Sequence, residues 1–598
     1  MAKRLLLIML FPALLLGKPF SNQTDACGGF FCTTFPINQV SEQILFVKGE
    51  GTVTTHVQIQ YSGTAEDFAW VLPVPAIPEL GVSHNAVFQQ LSSFTQPSFF
   101  LDWKEDETCF FFPRFLAGEE TLDAASGQPG SEVEVISQGQ IGPYNTAVIT
   151  ASDPNAISEW LNTNGYRLDN LGSDLLKPYV DSGFYFLALR LAPDRDLGDL
   201  QPIALTYEAE QPGIPIRLTA VATQPDMGIL VWVLGNQPAI PENYLHVEIN
   251  EARIDWLNGG RNYNQVVAEA ADEAGGRAFA TDYAGTSSIL KDRIFESERY
   301  NVDALRLIDN PSEFIAFMLI TGFPRDSQSQ SLIRRHIPMP PAVLTEGVLE
   351  VWFRGDEEAY QRAVDDGTLQ DIADRSFYNN MEAYAKYTMD LNFDPNAFAD
   401  ELESVVVKPL RETQTLFDSN PFLTRLYTTM SADEMTEDPM FSFNTDLPEV
   451  SNTRRAQARC ECPDGPDTAP ENKLVVITLS DGREIRVKPD FNPGPFPFPL
   501  PGPVPTPFPA PILLDVEEQP LAASSIERLF STGQPESIRG VTRPTPDFNS
   551  DGSVDFSDFL LFAEAFKSGA LRYDLSANGK VNFEDFLIFL RTFIASAG

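Results

Sequence analysis

The residues best equipped for chemistry lie near the C-terminus, where one pattern of oxygen-bearing side chains occurs twice, the second copy 27 residues after the first. The first copy places Asp547, Asn549, Asp551, Ser553, Asp555 and Asp558 at positions 1, 3, 5, 7, 9 and 12 of a loop, and the second places Asp574, Ser576, Asn578, Lys580, Asn582 and Asp585 at the same positions. Gly552 and Gly579 fill position 6, where the chain must turn sharply, and Val554 and Val581 fill position 8, where the two loops can pair. Calcium takes six to eight hard oxygen ligands, and in EF-hand loops position 7 contributes a backbone carbonyl. The spacing therefore predicts two calcium sites, with Ser553 and Lys580 supplying carbonyls. Carboxylates Asp547, Asp551, Asp555 and Asp558 line the first loop, whereas the second has only Asp574 and Asp585. Charge count tunes affinity, so the first site is expected to bind more tightly.

Each loop must be positioned by the element that follows it. Phe559, Phe562, Ala563 and Phe566 answer Phe586, Phe589, Leu590 and Phe593, both sets at i, i+3, i+4 and i+7. That period gives each predicted helix one apolar face, and the two faces are expected to pack together. With Asp at position 12 and a duplicated loop-helix unit, residues 545 to 595 resemble a dockerin-type module. The resemblance implies a small all-α calcium-folded unit that plugs extracellular proteins into a cohesin-like partner. Positions 10 and 11, which help choose that partner in many dockerins, are here Phe556-Ser557 and Phe583-Glu584 rather than Ser-Thr pairs.

The rest of the chain carries weaker chemical signals. Across 598 residues, 84 acidic side chains against 42 basic ones give a net charge of -42, which repels phosphates and argues against nucleic-acid binding. Met1, Ala2, Lys3 and Arg4 precede an apolar run over residues 5 to 16, a charged region and core of signal-peptide length, too short to span a bilayer. Residues 1 to 26 are therefore read as a signal peptide and the protein as secreted or cell-surface, with no transmembrane segment in the mature chain. Five cysteines, Cys27, Cys32, Cys109, Cys460 and Cys462, would then meet a disulfide-permissive compartment. Cys460 and Cys462 sit too close to bridge each other comfortably, so pairing with Cys27 or Cys32 is expected.

Residues 27 to 488 read as one large α+β domain, strand-rich first and helix-rich later. Strands are expected over 53–61, 68–74, 144–150, 184–191, 216–222, 229–234 and 245–249. Helices are expected from Ser152-Asp153-Pro154 onward and over 264–274, 313–320, 357–363, 369–386 and 395–417, with a closing hairpin around Ser480-Asp481-Gly482-Arg483. In residues 489–511, 11 of 23 positions are Pro, a polyproline II spacer that runs on into a poorly patterned connector to residue 544. The dockerin-like module would occupy 545 to 598. The large region resembles an exported bacterial family known as domain of unknown function 2330, through Cys27-Gly28-Gly29-Phe30-Phe31-Cys32, the run from Ala65 through Trp70 to Pro75, and Gln224-Pro225-Asp226-Met227-Gly228. That resemblance implies no activity.

No hydrolase elbow, zinc-protease helix or phosphate loop is present in the sequence. The imidazoles available are His56, His84, His246 and His336, of which His56 and His246 lie in strand-like alternation and read as structural. Glu66 with Asp67, or Glu248, Glu251 and Asp255, could supply a glycosidase-like carboxylate pair, although solvated or ion-paired acids are the plainer reading. Trp70, Trp103, Trp160, Trp232 and Trp256 read as core. No catalytic residue is assigned. The sequence thus predicts an exported, calcium-binding protein with a binding or structural large domain; a secreted hydrolase of polysaccharide breakdown is the alternative.

Overall fold

The computed structural model describes residues 39–58, 68–104, 134–164, 166, 173–193, 195–220, 223–389, 391–445, 447–462, 474–487 and 524–530, with single positions 554, 559, 562, 563, 586, 589, 590 and 593. The scaffold is a nine-stranded mixed sheet. In spatial order its strands are Ile526–Phe530, Leu245–Ile249, Ala278–Thr286, Phe422–Met430, Thr223–Gly235, Gln39–Lys48, Thr52–Gln58, Ile203–Glu208 and Glu79–Val82. Gln39–Lys48 runs parallel to Thr223–Gly235 and antiparallel to Thr52–Gln58. Leu245–Ile249 and Ala278–Thr286 are parallel, and helix Tyr263–Glu273 lies between them in the chain. A parallel pair cannot be joined by a tight turn, so a crossover of this length is required.

Burial on both faces explains the central strands. In Gln39–Lys48, Ile44 and Phe46 enter one core while Leu45 and Val47 enter another, all within a run that does not alternate with polar residues. The first core lies against a four-stranded sheet of Ala69–Val74, Tyr185–Leu191, Tyr144–Thr150 and Glu134–Ile141, through Trp70, Val148, Leu187 and Leu189. The outer face of that second sheet is covered by helices Pro154–Thr163 and Ser173–Asp181, through Ile157, Trp160, Leu161 and Leu176. The second core packs Trp232 and Leu234 against a helical layer contributing Phe314, Phe377, Phe398 and Leu410. The described residues therefore stack as helix, sheet, sheet, helix. A smaller sheet of Ser98–Trp103, Thr453–Glu461, Leu474–Thr478 and Glu484–Val487 packs on Trp256 and Val266.

Most expected elements are present, and the α+β reading, strands early and helices late, holds. Asp153 caps helix Pro154–Thr163, its carboxylate accepting from the Asn155 amide at 3.0 Å, with Pro at the first turn. The strand expected over 216–222 is corrected: Ile216–Thr219 is a single helical turn, and its apolar Ile216 and Leu218 are buried beneath different elements rather than along one sheet face. The helix expected over 369–386 stops at Asn379 and resumes as a 3-10 turn, Met381–Tyr384, because Asn380 adopts φ -149° and breaks the ladder. The helix over 395–417 runs through a π turn at Glu403–Val407. Residues 526–530, part of the stretch read as connector, form the edge strand beside Leu245–Ile249. Trp70, Trp160, Trp232 and Trp256 are buried, whereas Trp103 is 40% exposed on the edge strand Ser98–Trp103 and is not core.

Candidate functional site

A cavity rich in converging polar groups, about 260 Å³ in volume, opens where the main sheet meets the small one. His246 and Glu248, two apart on strand Leu245–Ile249, share one strand face and reach its lining together. The chain then turns through Glu251–Arg253, a short helix capped by Asn250, and this brings Glu251 to the same cavity. Phe99 contributes an apolar wall, edge-on to Trp256 at 5.3 Å. It is seated against Gly260, whose φ of +77° and lack of a Cβ leave room for the ring: a Cβ there would lie 2.2 Å from Phe99 Cδ2.

Electrostatics divide these groups into roles. His246 is buried, its Nε2 2.7 Å from Thr281 Oγ1, and burial pushes its pKa down to about 4, so it stays a neutral imidazole. Glu251 is different. Burial raises its carboxyl above the usual range; Arg454, whose Nε is 3.7 Å from Oε1, opposes the shift, while Glu248 and Asp481 reinforce it. A carboxyl with a raised pKa beside a second acid is an arrangement that general acid-base chemistry uses. Tyr263, also in the lining, donates its hydroxyl to Asp282, a fully buried acid paired to Arg425 with Nε 3.0 Å from Oδ2. Burial drives the Tyr263 phenol well above its normal value, and Asp282 adds to that, so this hydroxyl acts as a fixed donor. Arg425 lies 5.6 Å from the Trp232 ring centre, and the indole donates to Thr95 Oγ1 at 2.9 Å.

The structure thus brings Glu248 and Glu251 together but not Asp255, whose carboxylate accepts from the Asn258 amide and side chain at 3.2 and 2.7 Å and closes a turn. Glu66 and Asp67 lie outside the described residues. His56 is structural, its Nδ1 2.9 Å from Ser83 Oγ and its pKa lowered by burial to about 4. His84 Nδ1 accepts from the Ala86 amide at 3.1 Å and caps a helix. His336 sits on Glu401, 2.7 Å from Oε2, within an ion cluster with Arg195, Arg335 and Asp199. Burial opposes ionisation of Glu401, but hydrogen bonds from His336 and Arg195 and the charges of Arg335 and Arg195 hold its carboxyl well below the usual range. The Tyr263, Asp282 and Arg425 assembly was not visible in the sequence, since its members come from separate elements with no shared spacing.

Among the described residues no group of three or more acids, His or Cys could hold a metal. All twelve predicted calcium positions, Asp547, Asn549, Asp551, Ser553, Asp555, Asp558, Asp574, Ser576, Asn578, Lys580, Asn582 and Asp585, lie outside them. What is described there is the packing between copies: Phe562 and Phe589, each 1% exposed, stack with ring centres 5.5 Å apart and planes at 8°. Phe559 and Phe593 also contact Phe589. Cys462 is disulfide-bonded, and its partner is not the nearby Cys460, which is buried opposite Val475. No helix among the described residues is long and apolar enough to cross a membrane.

A family model described as "uncharacterized protein conserved in bacteria (DUF2330)" matches residues 22–438. No curated protein and no solved structure matches the chain.

Proposed function

The chain belongs to the DUF2330 family of uncharacterized proteins conserved in bacteria, and with no activity attached to that family, we propose that it is an exported cell-surface or extracellular protein docked through a calcium-binding C-terminal module. Two calcium ions bind Asp547 to Asp558 and Asp574 to Asp585. The loaded module, dockerin-like in its duplicated loop-helix units, engages a cohesin-like surface protein. The large domain is a binding or structural body carried by that anchor. The observation that carries this reading is the stacking of Phe562 on Phe589, residues at the same place in the two copies, because a paired apolar interface is what two calcium-loop helices need to form one unit. A disulfide at Cys462 fits an exported chain.

Limited proteolysis of the full chain tests the module. Chelator should open residues 545–595 to cleavage and calcium should close them, since small calcium-loop units derive their fold from the ion. Equal cleavage in both conditions would contradict the proposal.

A second reading, a secreted hydrolase acting on polysaccharide, is favoured by one observation, the raised Glu251 carboxyl beside Glu248 in a cavity walled by Phe99. Screening the protein on polysaccharides separates the two. Turnover abolished by Glu251→Gln would establish the hydrolase, and absence of turnover supports the non-catalytic body.

A further inference from the structure

A different cavity, about 310 Å³, lies in the helical layer and owes nothing to the acidic site. Its floor comes from helix Pro311–Ile320, whose sequence PSEFIAFMLI is apolar on nearly every side. Such a helix is normally covered all round. Here Phe314, Ile315 and Met318 are buried, but Leu319, which lines the cavity, is 40% exposed, so the covering is incomplete on the side that opens into the cavity. Volume and apolar lining place it at the small end of ligand pockets.

The rim supplies the chemistry. Three guanidinium groups, from Arg325, Arg334 and Arg375, surround the cavity, and Asp374 is the only acid in its lining. Arg334 is satisfied, bound to Asp374 with Nε 2.8 Å from Oδ2 and lying over Tyr378. The other two are not neutralised. Arg325 donates to the neutral amide of Asn379, and Arg375 reaches only the Asp371 carbonyl at 3.4 Å; among the described residues neither forms an ion pair with a carboxylate. By contrast, Arg195, Arg253, Arg277, Arg335, Arg425 and Arg459 all sit on acids. A local charge of +2 over an apolar floor, inside a molecule of net charge -42, is complementary to one kind of small molecule. The planar guanidinium fork matches a carboxylate in particular.

We propose that this cavity binds a small amphipathic carboxylate, with its apolar body over Ile315, Met318 and Phe323 and its head group between Arg325 and Arg375. Calorimetric titration of the full-length protein with decanoate, decanol and decyltrimethylammonium, each kept below its micelle concentration, tests it. Decanoate should bind one per chain and at least about tenfold more tightly than decanol, since hydrogen bonds to charged groups contribute that much. The cationic chain should bind most weakly. In the Arg325→Gln/Arg375→Gln double variant, whose sites are exposed and should not disturb folding, the advantage of decanoate should vanish while decanol binding persists. Leu319→Trp, which fills the cavity mouth, should weaken both. Equal binding of decanoate and decanol, or an advantage that survives in the double variant, would overturn the proposal.

Discussion

His56 and His246 show how a single side chain ties stability to pH. Each has a folded pKa near 4 against an unfolded value near 6.5, so between those limits the unfolded chain binds the proton and the native one does not. Their contribution is complete above about pH 6.5 and is lost as pH falls toward 4, to a limit of about 3 kcal/mol each. Glu401, with its folded pKa depressed, loses its contribution only below the normal carboxylate range, so on the limb from pH 6.5 to 5 the histidines act against the raised carboxyls of Glu251 and Asp282, which favour the folded state as pH falls. Urea midpoints measured across that limb should fall steadily with acid and should fall less in His56→Gln; a flat wild-type profile would contradict this. Arg425 is predicted to matter more at any single pH. Arg425→Met strands the fully buried Asp282 and should cost about 3–5 kcal/mol, whereas a loss under about 1 kcal/mol would show that the pair is not what holds this part of the sheet. The histidines were legible in the sequence as strand residues. Asp282 and Arg425 were not, because their pairing depends on sheet order rather than on any spacing along the chain.

Among the elements, those that follow a simple period were the readable ones. Thr52–Gln58 alternates, and helix Pro154–Thr163 announces itself by cap and proline. Phe422–Met430 was missed although it lies in the middle of the main sheet. It is buried on both faces, and its Thr424, Arg425 and Thr428 are polar residues with partners inside the fold, so neither alternation nor an apolar run marks it. The cavity at Glu251 was half legible: Glu248 and Glu251 stand close in the chain, but Arg454 and Phe99 arrive on the small sheet. Gly260 holds that junction. Gly260→Ala must strain a φ of +77° and also drive a Cβ into Phe99, whereas Gly482→Ala meets only the strain of φ +89° in open space. The first should therefore destabilise clearly more than the second, for which about 1 kcal/mol is expected. Thermal melts of both variants check this, and equal losses would show that Phe99 is not fixed by the close approach.

For the whole molecule, a net charge of -42 is a burden that the proposed calcium ions would relieve at the C-terminal repeat. Residues 545 to 595 hold eight acidic against four basic side chains, in a unit too small to fold securely on apolar burial alone. This is the part of the proposed function that the sequence displays most openly, through a repeat whose candidate ligand positions need no tertiary knowledge. The four-layer body offered no such signal, because its cavities are assembled from strands and helices distant in the chain. The most direct test is calcium calorimetry on the full-length protein and its variants. Two ions should bind per chain with unequal affinity; Asp547→Ala or Asp558→Ala should abolish or greatly weaken the tighter event, and Ser576→Ala should leave it intact. Absence of binding heat, or a titration unchanged by Asp547→Ala, would contradict the account.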